Sequence, residues 1–337
     1  MKSTLKIKNW QLLRARGFEG RVDLRREAFV AVGKRAVAGR DNAYVEQVYL
    51  PDGASVIKAE AFSGCQHLQS AILSSANNVG LSSGVFRDCR RLHTVANSEQ
   101  IHSIGASAFE NCDMLSEIRF GRELSRIGES AFAGCRSLTS VALPSGLREV
   151  GVGAFRGCSA LAFCQMDETF SALSEEMFRD CISLREVIIP TAVSVIPKRA
   201  FEGCISLREV NIPSNVQTIE ARAFQNCRKL HTVRMGLGVK EIGAHAFDNI
   251  PALREVFVSH SIKKIGFGAF GTKKRKDGEK ITVCVENEYM VRRMKRLLFL
   301  CGSANCADVK LIGKSIEERK RERRRANVDA KGTHLIG

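Results

Sequence analysis

The chain has 337 residues, 44% of them hydrophobic, enough for one extended core or two to three ordinary domains. Its formal charge of +16 is lopsided: residues 1–40 hold 11 Lys/Arg against 3 Asp/Glu, residues 263–337 hold 20 against 9, and residues 41–262 hold 21 against 24. The near-neutral middle excludes a polyanion-binding face along the whole molecule, and the absence of any run of 18 apolar residues excludes an apolar membrane-spanning helix.

The N-terminal stretch "MKSTLKIKNWQLLRARGFEG" is basic but has no apolar run of seven and no small-residue cleavage site, so it does not read as a secretion signal. A cytoplasmic location is the expectation, with the 12 cysteines kept reduced; the alternative is the cell surface by another export route. Residues 1–27, with Trp10, Leu12 and Leu13, are expected to form an N-terminal cap.

Residues 28–280 repeat. Phe recurs at 62, 86, 109, 132, 155, 178, 201, 224, 247 and 270, a first step of 24 and then steps of 23. Cys stands three places after eight of these (65, 89, 112, 135, 158, 181, 204 and 227). Leu stands six places after nine of them, from Leu68 to Leu253, and a degenerate copy with Val37 in the Phe position precedes the series. The unit reads A-F-x-x-C-x-x-L-x-x-V-x-[IL]-P-x-x-V-x-x-I-G.

In "LREVNIP", Val210 and Ile212 alternate with Glu209 and Asn211, the period-2 pattern of a half-buried strand, and Pro213 ends it by removing a ladder donor. "VQTIEARAF" then turns Val216, Ile219, Ala223 and Phe224 inward through a second short strand or turn. One unit cannot cover its own apolar edges, but stacked units can. At ~4.8 Å per strand, ten to eleven copies make a rod or arc roughly 50 Å long. Stacking Phe upon Phe also explains why the chain has 18 Phe beside one Trp and three Tyr.

The L-x-x-V-x-I strand inside "AF-x-x-C-x-x-L" and "IP-x-x-V-x-x-IG" resembles the BspA-type leucine-rich repeat family over about residues 28–285. The resemblance implies an α/β repeat solenoid: a right-handed leucine-rich-repeat superhelix of about ten to eleven 23-residue units with terminal caps. It also implies recognition of proteins or surfaces and carries over no catalytic residue. Two copies depart from the pattern, "SSANNVGLSSGVF" and "CQMDETFSALSEEMF", and local distortion is expected in both.

After Phe270 the charged "GTKKRKDGEK" replaces the Cys and Leu positions. "ITVCV" alternates as a strand, and Met290, Val291, Met294, Leu297, Leu298 and Cys301 recur at helical spacing opposite Arg292, Arg293, Lys295 and Arg296. Residues 281–313 are therefore expected to close the solenoid with a strand and a helix, and residues 314–337 to form a basic tail.

Each register Cys is one per rung, 23 or 24 residues from the next, which suits a buried ladder better than a metal site or a chosen disulfide. Cys301 and Cys306, with Cys284, lack the fourth ligand of a metal centre, and "GVGAFRG" is one rung's "IG-x-x-AF-x-G" rather than a dinucleotide loop. The seven His residues scatter over variable positions. The expectation is a monomeric, non-catalytic protein-interaction module with no cofactor, metal or catalytic residue. Its candidate contacts lie on the outward rows of the longer strand: Glu117, Arg119, Phe163, Gln165, Glu186, Ile188, Glu209, Asn211, Arg234, Glu255 and Phe257. Ordinary exposed residues would look the same at these positions. The alternative function is polyanion contact, with nucleic acid or an acidic membrane surface, through "KKRK" (273–276), "RRMKR" (292–296) and "RKRERRR" (319–325).

Overall fold

A computed structural model describes residues 4–8, 11–16, 20–27, 29–37, 44–75, 78–171, 173–272 and 278–312, with backbone only at Thr4 and 13–16. Trp10, the Leu13 side chain, the 273–276 cluster and the basic tail 314–337 lie outside the described residues.

The units coil into a parallel-strand solenoid of about twelve turns. One rung shows how. Glu209–Ile212 forms a front strand in which Val210 and Ile212 are buried and Glu209 and Asn211 exposed. The chain then rounds a corner at Pro213 into a two-residue back strand, Thr218–Ile219. A tight turn carries Phe224 into the core, and the next front strand, Thr232–Met235, pairs in parallel one rung on. No rung contains an α-helix; among the described residues the α component is one helix, α1 (Glu288–Leu300), at the C-terminal end.

The turns form a third edge that is more regular than either sheet. From Phe62 to Phe247 each turn has two left-handed residues, two before and two after its Phe, such as Arg222 (φ 60°) and Asn226 (φ 64°) around Phe224. Three backbone bonds tie each turn to the next: Arg199, Phe201 and Gly203 donate to the carbonyls of Ala221, Ala223 and Gln225 at 3.1, 2.9 and 2.8 Å. The pattern repeats from Glu60 to Asn226. Buried Phe rings stack along this edge from Phe62 to Phe270, 5.1–5.8 Å between centroids and within 18° of parallel. That is the offset arrangement aromatic quadrupoles favour.

The register cysteines line the same edge, all free and buried. They do more than fill space. Cys135, for example, donates its S–H to the carbonyl of Phe109 on the preceding rung at 3.1 Å, and the same bond recurs from Cys89 to Cys227 at 3.1–3.2 Å. Cys65 makes a looser one to Val37 at 3.7 Å.

The front sheet starts at Gly20–Asp23, inside the stretch read as the N-terminal cap, and pairs with Val45–Tyr49. An antiparallel hairpin, Thr4–Lys8 with Gln11–Arg16, precedes it and extends the back sheet by pairing with Ala31–Val32, with Leu12 fully buried. At the other end Ile281–Val285 and α1 follow the sequence reading, with Met290, Met294 and Leu298 buried and Arg292, Lys295 and Arg296 exposed. Asn287 caps α1 by accepting from the Met290 amide. A further strand, Ala307–Leu311, pairs with Ile281–Val285 and was not expected.

The sheets are interrupted where the turn edge is not. Among the described residues the front sheet loses its ladder at 117–120 and at 186–189, and the back sheet between Glu149–Val150 and Val195–Ile196.

Candidate functional site

Strand alternation fixes which side chains face out of the front sheet. Val141, Cys164, Val187, Val210, Val233 and Val256 point into the core. The residues on either side of each form two outward rows, as the period-2 pattern expects.

Of the anticipated contact residues, Glu117, Arg119, Phe163, Gln165, Glu186, Ile188, Glu209, Asn211, Arg234 and Glu255 are exposed, and Phe257 is half-buried. Register brings some of them together. Glu209, Thr232 and Glu255 stand in one row, and Asn211, Arg234 and Phe257 in the next. The Arg234 guanidinium lies 4.6 Å from the Phe257 ring centre, which accounts for the partial cover of that ring. Phe163 and Gln165 pair instead with Ser140 and Ala142, away from this group.

Glu117 and Arg119 sit on a rung without ladder pairing, held by the Arg119 amide donating to Ser98 Oγ at 3.2 Å. The two most exposed apolar side chains of the rows are Phe163, at 43%, and Ile188, at 64%. Between Ile188 and the next rung opens a cleft of about 200 Å³ lined by Glu186, Ile188, Glu209, Asn211 and Pro213.

The two halves of this face differ in chemistry. Before Phe163 the outward rows carry mostly small side chains, Ser70, Thr94, Ala96, Ser140 and Ala142. From Glu186 onward they carry charge. A third row, Arg185, Arg208, His231 and Arg254, flanks the Glu row on its entry side and is exposed; it was missed because it precedes the strand proper. The repeated "LRE" triplet was the signal for it.

Burial favours the neutral form of the register thiols and of Cys164. Burial pushes Cys65 and Cys158 up to about 12, and it also raises Cys89, Cys112, Cys135, Cys164, Cys181, Cys204 and Cys227. Among the described residues no three His, Cys, Asp or Glu side chains converge as metal ligands. No helix among them is long and apolar enough to cross a membrane.

A family model, the BspA type leucine rich repeat region, matches residues 40–162 and 171–284 in six copies. Among solved structures, a leucine-rich repeat protein from Bacteroides ovatus is 19% identical with a TM-score of 0.60, the match covering 93% of this chain and 98% of that one. A leucine rich cell surface protein from Faecalibacterium prausnitzii is also 19% identical, with a TM-score of 0.50 and coverage of 94% and 95%. At that identity the likeness is one of fold. No curated protein matches the chain.

Proposed function

The chain belongs to the BspA-type leucine-rich repeat family, and from that premise we propose that it is a non-catalytic module that binds a protein partner on its front sheet. The observation that carries this reading is the face itself. The core residues of each rung are spoken for by stacking, while the outward rows vary and leave Phe163 and Ile188 uncovered beside a shallow cleft. Large exposed apolar side chains amid charged neighbours are a common feature of docking surfaces. The charged half, with its parallel Arg and Glu rows, supports orientation and partner choice more than raw affinity. Cysteine chemistry, the natural enzymatic alternative, is disfavoured by buried thiols whose deprotonation burial opposes.

The test is a triple variant, Phe163→Ala, Ile188→Ala and Phe257→Ala, compared with wild type in partner capture from the native cell. Loss of a partner that wild type recovers supports the face; equal recovery rejects it. We propose a cytoplasmic location, where free thiols are stable. Cell fractionation decides between that and the surface location given for the F. prausnitzii protein.

The basic helix α1 supports a second reading. Arg292, Lys295 and Arg296 line one exposed face of it, and such a face binds polyanions with strong salt dependence. No binding to nucleic acid or anionic vesicles at low salt would rule that reading out.

A further inference from the structure

Elsewhere in the solenoid, successive rungs are joined on at least two of three edges. Between two rungs, the described residues are joined on one. The first has front strand Phe163–Met166 and back residues 173–174; the second has front residues 186–189 and back strand Val195–Ile196.

On the front, residues 186–189 form no ladder with either neighbour, and only the Arg185 amide, bonded to the Ala162 carbonyl at 3.3 Å, crosses at the strand entry. On the back, the residue following each short strand normally donates to the rung before. Gly128 bonds Ile104, Gly151 bonds Ile127, Glu220 bonds Ile196 and Gly243 bonds Ile219. At this rung the residue is Pro197, which has no N–H to give.

The turn edge, by contrast, is intact across the same gap. Glu176, Phe178 and Asp180 donate to Lys198, Ala200 and Glu202 at 3.1, 2.9 and 2.7 Å. A half-buried ion-pair cluster reinforces it there: Glu176 meets Arg199 at 2.8 Å, Arg179 at 3.3 Å and Arg156 at 3.8 Å, and Arg199 also meets Glu202 at 3.4 Å. Independently, the family pattern lapses over 163–170, beside the same joint.

The other front-sheet interruption, at 117–120, lacks this combination. Its back strand, Arg126–Ile127, is paired on both sides, to Ser103–Ile104 and to Glu149–Val150.

We propose that the solenoid is two stiff segments joined, between the rung of Phe163–Met166 and the rung of Val195–Ile196, by a hinge whose spine is the turn edge. Missing ladders on both sheets let the segments open and close about the stacked Phe155, Phe178 and Phe201. The hinge sets the angle between the small-residue half of the front face and its charged half, with Phe163 and Ile188 on opposite sides. It is a property of the free protein and holds whatever the face binds.

Hydrogen exchange read by mass spectrometry tests it on the full chain. The account expects amides of 186–189 and 194–195 to exchange at least about tenfold faster than their counterparts at 209–212 and 217–218, while Phe178, Asp180 and Phe201 stay protected. At 117–120 only the front amides should be fast, apart from that of Arg119, which is bonded to Ser98 Oγ, with 126–127 slow. Pro197→Gly restores a donor at a position where other rungs use Gly, and should slow exchange at 194–195 several-fold. Uniform protection across the joint, or an unchanged profile in Pro197→Gly, overturns the proposal.

Discussion

Cys158 and Cys164 lie six residues apart on consecutive elements of the chain, yet they mark two different kinds of structure. Cys158 sits on the turn edge, its S–H bonded to the carbonyl of Phe132 at 3.2 Å, in a column of identical neighbours. Cys164 sits on a front strand that pairs on one side only, its outward neighbours Phe163 and Gln165 unlike those of any other rung. The turn edge repeats and the sheet varies. Continuity of the solenoid rests on the first, and the freedom to present a distinctive surface rests on the second.

Substitutions can break that contrast or sharpen it. The largest effect is expected from Phe201→Ala, which opens a hole in the ring stack and removes two aromatic contacts at 5.6 and 5.2 Å. A loss of about 3–5 kcal/mol is expected for a buried aromatic, measured by urea unfolding. Next comes Gly203→Ala. Gly203 has φ 74°, and a Cβ there would crowd Asp180 Oδ1, so a cost of about 1–3 kcal/mol is expected. Gly203→Asn should cost less than Gly203→Ala if left-handed tolerance dominates, because Asn226 holds the equivalent position.

Cys135→Ala deletes one S–H donor and a small buried volume and is expected to cost about 1–2 kcal/mol by the same measurement. Glu176→Gln acts mainly through pH. Burial pulls the Glu176 carboxyl upward, but its bonds and charge contacts with Arg199 and Arg179 outweigh this and leave it below its ordinary value. The ionised form is therefore favoured by folding. Its stabilisation is complete above the unfolded-state value and disappears as pH falls through the folded-state value. Thermal unfolding of Glu176→Gln should consequently show a weaker acid dependence than wild type, with the difference vanishing at the acid end. The smallest effect belongs to the sheet: Ile188→Ala should change stability by no more than about 0.5 kcal/mol.

Much of this was legible in the residues. Steps of 23 in Phe, Cys and Leu announced the stack, and alternation around Val210 put Glu209 and Asn211 outward. Of the two irregular copies, the one over 164–178 contributes a side of the joint, whereas the other keeps its back strand Val79–Leu81 paired on both sides, with only a register shift against Ile101–Ile104. Other features were present in the sequence but unread. The residue two after each Phe from Phe62 to Phe247 is Gly, Asp or Asn, the types that tolerate a left-handed backbone, and the structure uses all of them that way. Pro197 in place of Gly signalled a lost ladder bond.

Three things were not legible. The S–H bond of each Cys depends on the carbonyl of the previous rung, a through-space relation that spacing does not encode. The strand Ala307–Leu311 has only a short alternation, and its place is set by the edge of Ile281–Val285. How the outward residues group into rows interrupted at Glu186 depends on which rungs pair, and side-chain patterns leave that open.

The contrast between edge and sheet is tested most directly in the unaltered protein by its own thiols. Alkylation in increasing urea, followed by peptide mass spectrometry, reports when each cysteine becomes accessible. Cys164 should label at lower urea than Cys158 and Cys181, which should label together with the other turn-edge cysteines at the main unfolding transition. Labelling of Cys158 or Cys181 ahead of Cys164 would contradict a turn-edge spine.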